Sequence, residues 1–494
     1  MAVGPKIDIG RDLKLYVNTQ ASFDIATNGT TAGENYPVAA DAIRPISASA
    51  GGSMPFATRE DKFGTATYIG GIRQKMSTEA SFDTYLAVNG TAVTAPDIAA
   101  DLLVSGGWEL VDTSSISSTI ASATDATVFV VASATGFTEG GGVAVQDEND
   151  STTYHLRRIA DVSGTTITVE PPLPDTPTGS SKVVKGCLSY KPTDSRESDS
   201  ADDTEAAVTV FVGNNRSCDR VSSFIPTSFN FALGGEEAAR LSVSGTGRAI
   251  QRMMGTTLTE ALTDSEVDID IANPQIFAAM DDLSVPVYYR VDDEVLKVNS
   301  IAGNTITVGA RGVYAGGGAA TTHEDGAALV PHMPDMTVTG GPVPATSGFI
   351  MAAAYGGTEG VEMQMGSATF DCGFGVSTRD NVHGTDAVVD GYTMNTREVS
   401  VTLSGWTLFD SDMDFQIEAA AGWWSGTGTG DGSQQMSVVC QQGATLGSSV
   451  ALVAPRMRPT MQSLDRGAEE VTLESSGIAE GTSTGEDEIL LIYS

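Results

Sequence analysis

Ser483 is the first residue whose surroundings suggest chemistry, because Gly481-Thr482-Ser483-Thr484-Gly485 has the spacing of a hydrolase nucleophile elbow. That elbow needs a strand-to-helix turn, with an acid and a histidine later in the chain, yet only nine residues follow and none is histidine. Asp410-Ser411-Asp412-Met413-Asp414 begins like a calcium loop, but Phe415 stands where the loop needs glycine and Ala421 where it needs a bidentate glutamate. It reads as a turn into a following strand. The four histidines, His155, His323, His332 and His383, show no HxxxH or HExxH spacing. Cys187, Cys218, Cys372 and Cys440 lack the paired spacing of a zinc site and read as free, mostly buried thiols. Asp147, Glu148 and Asp150 could imitate a catalytic carboxylate pair but fall at an expected hairpin tip, where acids are ordinarily solvated. Gly426, Gly428, Gly430 and Gly432 resemble a phosphate loop without its lysine or its βαβ context. No catalytic, cofactor-binding or metal-binding residue is assigned, and the chain reads as non-enzymatic.

The composition agrees with a structural role. Lys and Arg number 27 against 63 Asp and Glu, a formal charge of −36. Adhesive binding to nucleic acid or to anionic membranes draws on Lys and Arg, so this balance argues against both and lets DNA pass without sticking. General solubility or a saline habitat produces the same acidity, and composition does not separate these. Residues 1–13 contain no apolar signal core, and the longest apolar run, near 349–355, is far below the ~20 residues of a membrane helix. A protein made and used in solution is expected, so the N-x-S/T matches at Asn28, Asn89 and Asn215 carry no consequence.

The elements that would position such residues are mostly strands. Period-two alternation of apolar and small polar residues marks 13–17, 63–69, 208–212, 241–244, 399–403, 415–419, 471–473 and 489–493. Short helices are predicted from Pro96 through Leu103, ended by Gly106-Gly107, and over 348–355, ended by Gly356-Gly357. The acidic stretch 194–205 reads as a loop.

An internal repeat organises the chain. Val162-Ser163-Gly164-Thr165-Thr166-Ile167-Thr168-Val169 matches Ile301-Ala302-Gly303-Asn304-Thr305-Ile306-Thr307-Val308 at an offset of 139 residues. The same offset carries Leu156 onto Val295, Arg158 onto Lys297, Ile159 onto Val298, and Val128 and Val130 onto Val267 and Ile269. A small β module is therefore expected at 118–190 and again at 258–334. A fainter match links 241–245 with 401–405, each after an aromatic strand at 229–231 and 370–374. The expected fold is mainly β: two related β-sandwich or barrel domains, at 1–117 with 191–257 and at 335–494, with short flanking helices and two inserted modules at matching places.

Several stretches resemble the tail tube family of long-tailed, siphovirus-like bacteriophages. They are Arg11-Asp12-Leu13-Lys14-Leu15-Tyr16-Val17, the strand pair around 63–82, Ile225-Pro226-Thr227-Ser228-Phe229 running on to Leu241-Ser242-Val243-Ser244-Gly245, and Ile489-Leu490-Leu491-Ile492-Tyr493. The second module continues from Arg311-Gly312 through Thr321-Thr322-His323-Glu324-Asp325-Gly326-Ala327, similar to a segment of small β modules in phage structural proteins; His323 is then a turn-stabilising residue. The resemblance implies stacked rings forming a hollow tail tube in the virion, assembled in the host bacterial cytoplasm. Two folds per chain imply homotrimeric, pseudo-hexameric rings with outward modules. It further implies contact with tape measure, tail terminator and baseplate proteins, and passage of double-stranded DNA without specific binding. Another virion component, baseplate or decoration, and a cell-surface adhesin or carbohydrate-binding protein are the alternatives. For the adhesin, Trp423-Trp424 is the one aromatic cluster in a chain with 6% aromatics.

Overall fold

Hydroxyl and aliphatic residues alternating along the chain become strands, and the computed structural model is almost entirely β. It describes residues 13–19, 37–53, 56–58, 71–73, 77–88, 102–178, 182–193, 208–234, 237–278, 287–313, 318–338, 340–344, 348–358, 360–363, 366–379, 391–406, 435–465, 472–481 and 486–494. The expected strands at 63–69 and 415–419 and the loop at 194–205 lie outside the described residues. The chain opens with β1 (Lys14–Thr19), β2 (Ala42–Ile43), β3 (Pro45–Ser53), β4 (Phe56–Thr58), β5 (Gly71–Arg73), β6 (Ser77–Tyr85), β7 (Ala87–Val88) and β8 (Trp108–Asp112). Next come β9 (Ser117–Ala123), β10 (Val128–Val131), β11 (Gly142–Gln146), β12 (Tyr154–Ser163), β13 (Thr166–Glu170), β14 (Val183–Gly186) and β15 (Leu188–Pro192). Then follow β16 (Val208–Gly213), β17 (Ser217–Gly234), β18 (Arg240–Gly247), β19 (Ala249–Met254), β20 (Thr256–Thr257), β21 (Asp268–Asp270), β22 (Val287–Val291), β23 (Glu294–Ala302), β24 (Thr305–Arg311) and β25 (Ala328–Pro331). The chain ends with β26 (Gly341–Pro342), β27 (Phe349–Ala354), β28 (Gly360–Met363), β29 (Gly366–Arg379), β30 (Gly391–Trp406), β31 (Met436–Gln442), β32 (Val450–Asp465), β33 (Thr472–Ala479) and β34 (Leu490–Tyr493).

One helical turn, at 102–105, buries Leu102 and Leu103; Pro96 and Ile98 lie outside the described residues. The helix expected over 348–355 is corrected, because Phe349–Ala354 is β27, laddered to β28 on one side and β31 on the other. Ile350, Met351, Ala352 and Ala353 are all buried. A short run buried on both faces has no periodicity to separate strand from helix, and two ladders outweigh alanine's helix propensity.

The repeat is a six-stranded barrel built twice. The first, closed, runs β10-β13-β12-β11-β14-β9, and the second runs β21-β24-β23-β22-β25-β20 in the equivalent order. Its hairpins turn at Gly164 and Gly303, with φ of 63° and 64°, a conformation suited to glycine. Both bulge at the same point, between Ile159 and Asp161 and between Val298 and Ser300. The offset on the neighbouring strand is corrected. Phe129 pairs with Ile167 and Ile269 with Ile306. Ile269 therefore corresponds to buried Phe129, 140 positions away, and not to half-exposed Val130. A slip of one residue would exchange the two faces of the strand.

The framework is also duplicated, strand for strand. In the first half the ladders run β2-β1-β16-β17, then β17 meets β19 along its start and β18 along its end, and β18-β6-β3 completes the set. In the second half they run β28-β27-β31-β32, then β32 meets β34 and β33, and β33-β30-β29 completes it. Bulges after Pro226 and after Pro459 mark equivalent points of β17 and β32, 233 positions apart. A bulge is where a strand tolerates a residue without an N–H. Opposite them stand Gly245 and Gly477, where an added Cβ would lie 2.3 Å from the Ile225 carbonyl oxygen and 2.5 Å from that of Arg458. Residues 241–245 thus correspond to 473–477 and not to 401–405, which lie in β30, the counterpart of β6. The aromatic strands matched in the sequence are neighbours, not counterparts: β17 and β29 are laddered, and Phe229 meets Phe374 edge-on at 5.8 Å between ring centroids.

That ladder joins the halves over one shared core. Each barrel packs against one half of the framework. The second packs on the first half through Tyr16, Phe211, Cys218 and Met253. The first packs on the second half through Met351, Val439, Ala451 and Ile492, while keeping a core of its own around Phe129. Register makes Tyr16, Phe211, Cys218 and Met253 the counterparts of those four residues, so each barrel caps the equivalent face. In the chain, however, one barrel interrupts the first half and the other follows it.

Candidate functional site: a polar sheet face with two open edges

Eight strands follow one another antiparallel as β3-β6-β18-β17-β29-β30-β33-β32. Their alternation buries Ala80, Phe82, Val243, Phe229, Phe231, Phe370, Val401 and Leu403 on one side. The other side is hydroxyl and carboxylate. Ser47 donates to Asp83 at 2.6 Å and Ser228 to Asp371 at 3.3 Å, and the pairs Ser49–Ser81, Ser53–Ser77 and Ser367–Ser404 stand at 2.9, 2.6 and 2.8 Å. Glu79, Glu398 and Glu474 are exposed on the same strands, in step with these residues. Hydrogen bonds from Ser242 and then Ser47 hold the Asp83 carboxyl below its ordinary range. Ser49, Gly51, Ser77, Glu79, Ser81 and Ser244 line a groove on this side. The exposed arginines at the ladder ends are engaged: Arg240 with Glu237 at 2.7 Å and Arg458 with Glu480 at 3.0 Å. The face therefore presents anionic charge with few cations left to grip a phosphate.

Both ends of the run are open. Among the described residues, no strand pairs with the outer edge of β3, nor with the edge of β32 opposite β33. Between Pro45 and Ser53 the β3 edge carries no charge.

The residues singled out by type mostly do structural work. In the second barrel His323 bridges Asp292 and Glu294, its Nδ1 and Nε2 each 2.9 Å from a carboxylate oxygen. Glu294 also receives Arg311 at 2.7 and 2.8 Å and the Thr321 amide at 2.9 Å. Burial alone would raise its carboxyl; Arg311, Thr321 and His323 outweigh that and hold it at about 2. Asp147 accepts from the Asn149 and Asp150 amides and pairs with His155 Nε2 at 2.7 Å, so it holds the hairpin tip and is not merely solvated. Asp150 caps Thr152 and Thr153, and Glu148 accepts from Thr178. Burial, then the charges of Arg290 and Lys14, push His332 down to about 4. All four cysteines are free and buried. Among the described residues, no cluster of His, Cys, Asp and Glu could hold a metal, and no helix is long and apolar enough to cross a membrane. Ser483, 410–414, His383, Trp423, Trp424 and the 426–432 glycines lie outside the described residues. Nothing in the sequence marks which acids and serines share this face, because serine alternating with apolar residues is the pattern of any half-exposed strand.

Comparison with known proteins finds no matching family model and no matching curated protein.

Proposed function

We propose that this chain is a structural protein whose copies join into rings stacked as a hollow tube, of the phage tail tube type, with double-stranded DNA passing along the polar sheet face. The observation that carries this reading is the eight-stranded sheet itself, polar on one face and, among the described residues, unpaired at both ends. Joining end to end into a closed barrel removes exposed edges, which otherwise invite aggregation. Two equivalent four-stranded units per chain support three chains per ring, with six units around the lumen. Double-stranded DNA carries one charge per ~1.7 Å. A wall bearing Glu79, Asp83, Asp371, Glu398 and Glu474 repels it, and hydroxyls already bonded to each other offer phosphates little to hold. Tape measure, terminator and baseplate proteins are the partners, and the virion the location, that accompany this reading.

Negative-stain microscopy of the purified full chain tests it. Stacked rings or tubes with an open lumen are expected; persistent monomers that bind glycans would sink the reading in favour of an adhesin.

A further inference from the structure

We infer that β32 of one copy ladders antiparallel onto β3 of the next, in the register that β17 and β29 use within the chain. The inference rests on the edge-to-edge assembly just proposed and adds which edges meet and how. Within the chain β17 pairs Phe229 with Cys372, Asn230 with Asp371, Phe231 with Phe370 and Ala232 with Thr369. The bulges at Pro226 and Pro459 place β32 233 positions after β17. Gly245 faces Ala80, which faces Ala50; Gly477 faces Val401, which faces Phe370. β3 is therefore the counterpart of β29, 320 positions earlier. In the first half the edge of β17 is taken by β29; in the second half, among the described residues, the equivalent edge of β32 is open, and so is that of β3. Carrying the internal ladder across predicts Gln462 opposite Gly52, Ser463 opposite Gly51, Leu464 opposite Ala50 and Asp465 opposite Ser49.

The β3 edge suits this use. Edge strands that stay single are protected by lysine, proline or inward charge; β3 has a proline only at its first position, Pro45, and Ser47-Ala48-Ser49-Ala50-Gly51-Gly52-Ser53, the part that would pair, has none of these. Because the two edges differ, each junction leaves one of each kind free, and growth ends only when the ring closes.

Two variants of the full chain with one added cysteine each, Ser49→Cys and Asp465→Cys, test the register. Directly opposed residues of an antiparallel ladder have Cα atoms ~4.5–5.5 Å apart, within disulfide reach, and the native cysteines are buried. Oxidising the mixture is expected to give a reducible two-chain product that neither variant gives alone, and the double variant a ladder ending at the ring size. Gly51→Cys with Ser463→Cys should behave likewise, which guards against misfolding of one pair. Ser53→Cys with Asp465→Cys, four residues or ~13 Å out of register, should not cross-link. Rings seen by microscopy without the first two cross-links, or with the third instead, overturn the register and leave the assembly reading standing. Self-linking of one variant overturns it too, as a symmetric contact. Absence of both rings and cross-links removes both.

Discussion

The two barrels share six strands, their order, a hairpin and a bulge, yet they close differently. In the first, β9 and β10 form a ladder pairing Phe129 with Ala123, Val130 with Ser122 and Val131 with Ile120. In the second, the closure is reduced to the bridge between Leu258 and Ile271, with the Thr259 amide on Asp270 and the Ala272 amide on Thr257. Arg311 compensates from outside the ladder: it grips Glu294 and also donates to the carbonyls of Thr263, Glu266 and Thr321, tying the connecting segments together. Both barrels have ladders and an apolar core; at the closing seam the first uses a ladder, and the second a single bridge with a buried ionic clasp beside it. The same topology thus tolerates replacement of ladder by side chains, provided every buried charge is matched.

Removing the clasp should break this comparison most sharply. Glu294→Gln keeps the shape but leaves Arg311 uncompensated, and loss of one partner from a buried pair costs about 3–5 kcal/mol. Hydrogen exchange on the full chain should then show β21 to β25 opening while β9 to β14 keep their protection. Equal loss in both barrels would mean they unfold as one unit.

Acid should separate them next. Glu294 is held at about 2, below its ordinary 4.5, so its contribution, on the order of 3 kcal/mol, is complete above 4.5 and lost as pH falls toward 2. His332, beside the same barrel and pushed down to about 4 from 6.5, contributes above 6.5 and loses that as pH falls toward 4. In the first barrel burial raises Glu170 to about 7, so its contribution is present below 4.5 and lost as pH rises toward 7; acid therefore relieves it. His155, lowered by burial, works the other way there. Exchange measured from pH 7 down to pH 2 should show the second barrel opening first, through His332 between 6.5 and 4 and through Glu294 between 4.5 and 2; the reverse order below pH 4.5 would remove the clasp from the account.

The smallest effect should be equal on both sides. Gly164→Ala and Gly303→Ala place a side chain at a left-handed turn with open space around it, so only backbone strain of about 1–2 kcal/mol is expected from each. Thermal or denaturant unfolding of each variant checks this, and unequal losses would show that the hairpins are less alike than their register.

Much of this comparison was legible in the residues. Ile-Thr-Val around Ile167 and Ile306, with glycine at the turn, announced the shared hairpin, because turn chemistry and alternation are local. The clasp was not legible: Glu294, Arg311 and His323 come together from separate strands and loops, and nothing in their spacing marks them as partners. The polar face was equally hidden, since Asp83 and Ser47, or Asp371 and Ser228, meet only across a ladder.

By itself the sequence determined a strand-rich, acidic chain with a repeated hairpin, since these follow from composition and from the two-residue period of each segment. Tertiary structure alone decided that 349–354 is a strand, that Ile269 answers to Phe129, that β33 and not β30 repeats β18, and that β3 and β32 end the eight-stranded run among the described residues. The physical reason is common to all four. A strand's own residues state which of them share a face, while its partner, register and burial are set by hydrogen bonds and packing with other segments of the chain, often tens of residues away.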